Sequence, residues 1–219
     1  MITTSATVWF CILTAVSSGT VHLVAEYWGP DWLLFSSKPL TTALLVGAAA
    51  VAPAAEPRYR LFIVLGLLFS LAGDVFLMLP RDRFIAGLMS FLIAHVFYIG
   101  AFTTGVPFGA RPLLLIPYLA VAFAVLKILW PGLGRLRIPV VVYVVALVAM
   151  AWQAGVRASF VDSPSAIAAA VGATLFVISD ATLAIDRFRV RFRAAQSVIM
   201  SSYVIAQALI ALSVSASGG

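Results

Sequence analysis

Two aspartates and a histidine stand where ionisable side chains are costly. Asp74 lies in the run LFSLAGDVFLML, His95 in FIAGLMSFLIAHVFY and Asp180 in ATLFVISDATLAI. Each run is apolar enough to enter a bilayer, where a carboxylate costs roughly 2.5–3.5 kcal/mol on the insertion scale. Such side chains normally face a bundle interior or a wet cavity and mark function. Two carboxylates sharing one low-dielectric cavity do not both ionise readily, so a general acid stands beside a carboxylate. Glycosidases use that pairing on a transition state resembling an oxocarbenium ion. Other uses of the same residues are a proton relay through Asp74, His95 and Asp180 in a proton-coupled transporter, or interhelical hydrogen bonding.

Further polar residues fall at related depths. Tyr98 follows His95 by three residues and shares its helix face, and Tyr203 and Gln207, four apart, share a face on a later run. Lys38 and the turn Pro80-Arg81-Asp82-Arg83 bring cations to one boundary, where His22 and Glu26, four apart, also end the first run. At about 1.5 Å of rise per residue, Asp74 is about 10 Å in from Arg81 and Asp180 about 10 Å in from Arg187. Scattered polar groups would have no reason to choose one leaflet, so this coincidence predicts one polar cavity open towards the cytoplasm. His22 on this reading is a packing or interfacial residue, Arg187 to Arg193 anchor topology, and Phe84, Phe91, Tyr98 and Phe102 form a packing stripe.

The elements that position these groups are membrane spans. The 219 residues are 63% hydrophobic and 10% charged, against about 25% charged in a soluble domain, and mean hydropathy is +1.10. An all-α, polytopic membrane protein follows, as a single transmembrane domain over residues 1–219. A window of about 19 residues predicts eight spans, near 8–26, 39–55, 61–79, 84–104, 113–130, 138–156, 166–185 and 194–214. These runs lack the alternation of barrel strands. Pro39 is placed in the first turn of the second span, where its missing N–H costs nothing. With short connections throughout, consecutive spans are expected to pack as antiparallel neighbours.

Ten of the 14 Lys and Arg residues follow odd-numbered spans and four lie on the other side. The positive-inside rule then puts the first set in the cytoplasm and both termini outside it. The net charge of +6 and a pI near 10.0 reflect that asymmetry and anionic lipid headgroups, with no nucleic-acid partner. Cys11 is the lone cysteine, which excludes an intrachain disulfide. His22 and His95 with Asp74 and Asp180 lack HExxH-type spacing, so no metal is assigned. Met1 to Thr7 has no basic region and reads as the start of the first span rather than a cleavable signal. Gly73-Asp74 with Asp82-Arg83-Phe84 recurs as Ser179-Asp180 with Asp186-Arg187-Phe188, compatible with a parallel four-plus-four repeat.

Taken together, Lys38-Pro39-Leu40, Gly73 to Leu79, Phe84 through Ser90-Phe91 to His95 and Tyr98, Ser179-Asp180, and Tyr203 with Gln207 resemble the YhhN-type lysoplasmalogenase family of eight-helix membrane proteins. The resemblance implies hydrolysis of the vinyl ether bond of a lysoplasmalogen, an ether lysophospholipid, to a fatty aldehyde and a glycerophospho-amine. It implies Asp74 and Asp180 as catalytic carboxylates, one donating a proton and the other stabilising the cation or positioning water. His95 with Tyr98 would orient one of them. Lys38 and Arg81 or Arg83 would hold the substrate phosphate, with Tyr98, Tyr203 and Gln207 also lining the substrate cavity. No cofactor is implied; the partners are the lipid substrate and the surrounding membrane lipids, and the expected location is a bacterial inner membrane.

Overall fold

The computed structural model describes residues 2–80 and 82–215. Its long elements are eight helices: α1 (Ile2–Trp28), α2 (Asp31–Val51), α3 (Pro57–Met78), α4 (Phe84–Phe102), α5 (Ile116–Leu129), α6 (Arg137–Phe160), α7 (Pro164–Phe188) and α8 (Ala195–Leu212). All eight, with 3₁₀ turns extending α5 and α6, are long and apolar enough to cross a membrane. The all-α polytopic architecture is as expected. Prolines open α3 and α7 in the first turn, and Ser163 caps α7 by accepting from the Ala166 N–H at 3.2 Å.

Helix α2 departs from the expectation. It starts at Asp31, so Pro39 lies inside it rather than in its first turn. The polar stretch Ser36-Ser37-Lys38 reads as a loop by hydropathy, but the helix turns it inward: Ser37 is buried and its hydroxyl donates to the Leu33 carbonyl at 2.6 Å and contacts His22 Nδ1 at 2.9 Å. Internal partners thus replace the water that a loop would have needed.

Helix packing forms a ring, in which α1 to α4 pack in sequence, α4 meets α6, α6 meets α7, α7 meets α8, and α8 closes on α1 and α2. Consecutive helices are therefore neighbours except around α5, which packs on α6 and α7 from outside the ring. Its sequence explains this, since among its residues Leu129 alone is buried, and the connection from α4 turns on Gly105 and Gly109, both with positive φ. The tightest pairs, α3 with α4 and α7 with α8, rest on small residues: a Cβ at Gly73 would stand 2.6 Å from the Phe91 ring, and one at Gly172 2.8 Å from the Ala206 carbonyl.

The two ends of the bundle differ. At the end away from Arg187, Gln153 donates to the Phe102 and Pro107 carbonyls and accepts from the Gly109 N–H, while Arg157 donates to the Thr104 carbonyl and stacks over Tyr59. These bonds stitch the α4–α5 connection onto α6. At the other end, Arg187 holds Asp82 through two bonds of 2.8 and 2.9 Å and lies 4.1 Å from the Phe84 ring centroid, fastening the α3–α4 turn to α7. Exposed to solvent, that pair contributes little to stability.

Gly73→Val should overpack the α3–α4 seam by about 1–3 kcal/mol and lower the melting temperature in detergent. Val96→Ala, on the lipid-facing side of α4, should leave it near wild type in the same scanning-fluorimetry series.

Candidate functional site

Asp74 and Asp180 come to the same region of the bundle from opposite halves of the chain, into different surroundings. Asp74 is fully buried: its Oδ2 accepts from Tyr203 and Thr42, each at 2.7 Å, and its Oδ1 is 3.3 Å from the Lys38 ammonium. Tyr203 is braced in turn by the Gln207 amide at 3.1 Å, Gln207 Oε1 accepts from Tyr98 at 2.8 Å, and Ser70 lies 3.4 Å from the Tyr98 hydroxyl. One connected chain thus runs from Lys38 into the middle of the bundle, in which Asp74 Oδ1 has the Lys38 ion pair in place of a hydrogen bond among the described residues.

Asp180 has a different setting. Among the described residues it is the only charged one lining an apolar cleft walled by α3 to α7, with Leu77, Phe91, Val125, Leu147 and Phe188 among the lining side chains. The Tyr143 hydroxyl donates to its Oδ2 at 2.5 Å. Beside the cleft opens a vestibule, at the end of the bundle that carries Arg187. Lys38, Arg187, Arg191 and Arg193 line it together with Glu26, Asp31 and Asp186. Leu77, Phe84 and Leu183 line both spaces and form a neck between them. Within Coulombic range of Asp180 are Lys38 and Asp74.

Between the carboxylates stands an aromatic partition. His95 is edge-on to Tyr143 and to Phe176, both at 5.1 Å between centroids, and Phe176 is edge-on to Tyr203 at 5.6 Å. His95 is fully buried, and neither of its ring nitrogens has a hydrogen-bond partner among the described residues.

Set against expectation, the structure gathers Lys38, Asp74, Tyr203, Gln207 and Tyr98 into one chain and puts His95 beside Tyr143, the partner of Asp180. It does not unite the two carboxylates in one open cavity, because Lys38 and the hydroxyls of Thr42 and Tyr203 enclose Asp74 before either space reaches it. His95 bonds to neither aspartate. Tyr98, Tyr203 and Gln207 are buried and line neither space, since their polar atoms are taken up in bracing Asp74. Arg83 is exposed beside the α3–α4 turn and lies outside the vestibule lining, and Arg81 falls outside the described residues. Arg187, Arg191 and Arg193, read from sequence as topology anchors, line the vestibule. Four-plus-four similarity does not extend to the aspartates' partners: Asp74 has Thr42, Tyr203 and Lys38, and Asp180 has Tyr143.

The same elements recur in known proteins. The description of the YhhN family matches residues 33–214. The uncharacterized membrane protein YhhN of Escherichia coli O157:H7 is 32% identical over 196 residues, which are 88% of this chain and 92% of that protein. The chain belongs to the YhhN family. Relatives with a named activity are the lysoplasmalogenase TMEM86A of Homo sapiens, 36% identical over 70% of this chain and 64% of that protein, and the lysoplasmalogenase of Mycobacterium tuberculosis, 36% identical over 77% and 65%. No solved structure matches. These relatives make this YhhN-family chain an integral-membrane hydrolase.

Two residues of this YhhN-family site were not singled out from sequence: Thr42 and Tyr143. A tyrosine inside an apolar span signals a hydroxyl in need of a partner, and that signal is present in α6. Nothing in residue spacing tells which carboxylate a hydroxyl on a distant helix will meet.

Removing one partner from a buried ion pair costs about 3–5 kcal/mol, whereas removing both can be neutral. Lys38→Met should therefore lower thermal stability sharply, and Asp74→Asn in the same chain should restore most of it, as measured by detergent-phase thermal melts of the two single variants and the double.

Proposed function

We propose that the chain hydrolyses the vinyl ether bond of a lysoplasmalogen, releasing a fatty aldehyde and a glycerophospho-amine. The observation that carries this reading is Asp180, a single carboxyl in an apolar cleft that joins, at a neck, a vestibule whose wall carries Lys38, Arg191 and Arg193 as well as carboxylates. A single-chain lipid has the same division. Its tail suits the cleft, its phosphate suits Lys38, Arg191 and Arg193, and the bond between them falls at the neck, near Asp180. The outer side of the cleft is the loosely held α5, which supports entry of the tail from the bilayer.

In this mechanism the Asp180 carboxyl gives its proton to the alkenyl carbon β to the ether oxygen, and the C=C electron pair forms the new C–H bond. The adjacent carbon and the oxygen share the resulting oxocarbenium charge, which the new Asp180 carboxylate stabilises. Water from the vestibule adds to that carbon and its surplus proton returns to Asp180. Collapse of the hemiacetal breaks the C–O bond, leaving the aldehyde and the glycerol hydroxyl. Tyr143 holds one carboxyl oxygen, so the other is left for the substrate. Without such a donor the carboxyl would be free to rotate.

The stitching of the far end by Gln153 and Arg157 favours an enzyme fed from the bilayer over the transporter alternative, which requires access from both faces. Relatives named lysoplasmalogenase support the same reading. The reading also carries the orientation expected from charge, with the vestibule on the cytoplasmic face of an inner membrane.

Purified protein offered lysoplasmalogen should release aldehyde, and Asp180→Asn should lose about 10²-fold or more in turnover, the usual worth of a positioned acid, while its melting temperature shows that it folds. Full turnover in that variant would remove Asp180 from the reaction.

A further inference from the structure

We propose that Asp74 is a positioning residue, not a proton donor, and that it fixes the Lys38 ammonium at the neck as the binding group for a lipid phosphate. The proposal rests on the hydrolase reading above and changes the role assigned to the first of the two aspartates. Three observations carry it.

Asp74 touches neither the cleft nor the vestibule. It is fully buried and absent from the walls of both the cleft and the vestibule. Its Oδ2 is occupied by two hydroxyl donors and its Oδ1 faces an ammonium. A carboxyl that hands a proton to a lipid carbon must reach that carbon within about 3 Å, and the residues around Asp74 fill that approach.

Lys38 is in the complementary position. Its ammonium is 3.3 Å from Asp74 Oδ1 and 5.6 Å from the Tyr203 ring centroid, its side chain keeps 15% of its surface exposed, and it is part of the vestibule wall. An ammonium has three N–H donors. The bond to Asp74 commits part of that capacity and leaves the rest for an anion.

The brace behind Asp74 explains why an aspartate is needed. A free lysine carries about 2 kcal/mol of rotamer entropy and in this vestibule could turn to Glu26, Asp31 or Asp186. Asp74, held by Tyr203 and Thr42, with Gln207 and Tyr98 behind Tyr203, keeps the ammonium at the neck before the ligand arrives, so less ordering remains to be done on binding. Arg187, the other cation near the neck, is committed to Asp82.

The test uses the full chain in nanodiscs as wild type, Asp74→Asn, Lys38→Met and the double variant. Each is offered a lysoplasmalogen and its phosphate-free counterpart, a 1-alkenylglycerol. Binding of the saturated, uncleavable analogues, a 1-alkyl-lysophosphocholine and a 1-alkylglycerol, is measured in parallel with melting temperature. The single variants should raise KM and Kd at least about tenfold more for the phosphate lipids than for the neutral ones, with the loss falling mainly on KM. The double variant, in which no buried charge is left unpaired, should match Lys38→Met in KM and Kd while regaining most of its melting temperature. A loss of about 10²-fold in kcat for Asp74→Asn with KM unchanged would make Asp74 catalytic and overturn the proposal. Equal weakening for phosphate and neutral lipids, or a fall in melting temperature alone, would reduce the pair to a structural role and also overturn it. If the wild type releases no aldehyde, the hydrolase reading fails, but the binding comparison still decides whether Lys38 and Asp74 form a phosphate site.

Discussion

A lysine and an aspartate inside an apolar bundle are the constraint around which this protein is arranged. Each charge taken from water costs several kcal/mol, and their mutual attraction offsets this only when the remaining oxygens and protons are also satisfied. Here that requirement draws in Thr42 from α2, Tyr203 from α8 and, behind Tyr203, Gln207 and Tyr98. Four helices, α2, α3, α4 and α8, are thereby tied to one carboxylate. In a bilayer, where apolar side chains gain little by leaving lipid for each other, such a network specifies which helices meet.

The ring of seven helices follows from that network and from close seams between small residues. Its consequence is a division of space. On the α2–α8 side the charges are enclosed and open only through Lys38 to the vestibule. On the α5–α6–α7 side the walls are aliphatic and aromatic, and Asp180 stands alone among them with Tyr143. The aromatic rings of His95, Phe176 and Tyr203 separate the two carboxylates while leaving them within electrostatic reach of each other. An amphiphile with one tail and one phosphate matches this division as a compact polar substrate would not.

Helix α5 has a particular place in this arrangement. It adds an eighth span yet contributes almost nothing to the buried core, since its side chains face mostly outward. A helix held by few contacts separates from its neighbours more easily than one locked into the ring. Placed over the apolar cleft, it is the side from which a lipid tail meets least resistance.

Much of this was legible in the residues themselves. Runs of about twenty apolar residues can satisfy their backbone polar groups in a bilayer only as helices, so the all-α architecture and the number of spans follow from composition and periodicity. The depth of Asp74, His95 and Asp180 within those runs marked them, since the insertion cost of an ionisable group depends on depth and not on neighbours. What the sequence could not express was the choice of partner. Hydropathy could not see that α2 continues through Pro39 and turns Lys38 inward, because that outcome depends on an anion arriving from α3. Nor could spacing along one helix assign Tyr143 to Asp180, Tyr203 to Asp74, or Arg191 and Arg193 to the vestibule. Hydrogen bonds and ion pairs act over about 3 Å between groups whose separation along the chain can exceed a hundred residues, so only the packed bundle could decide them.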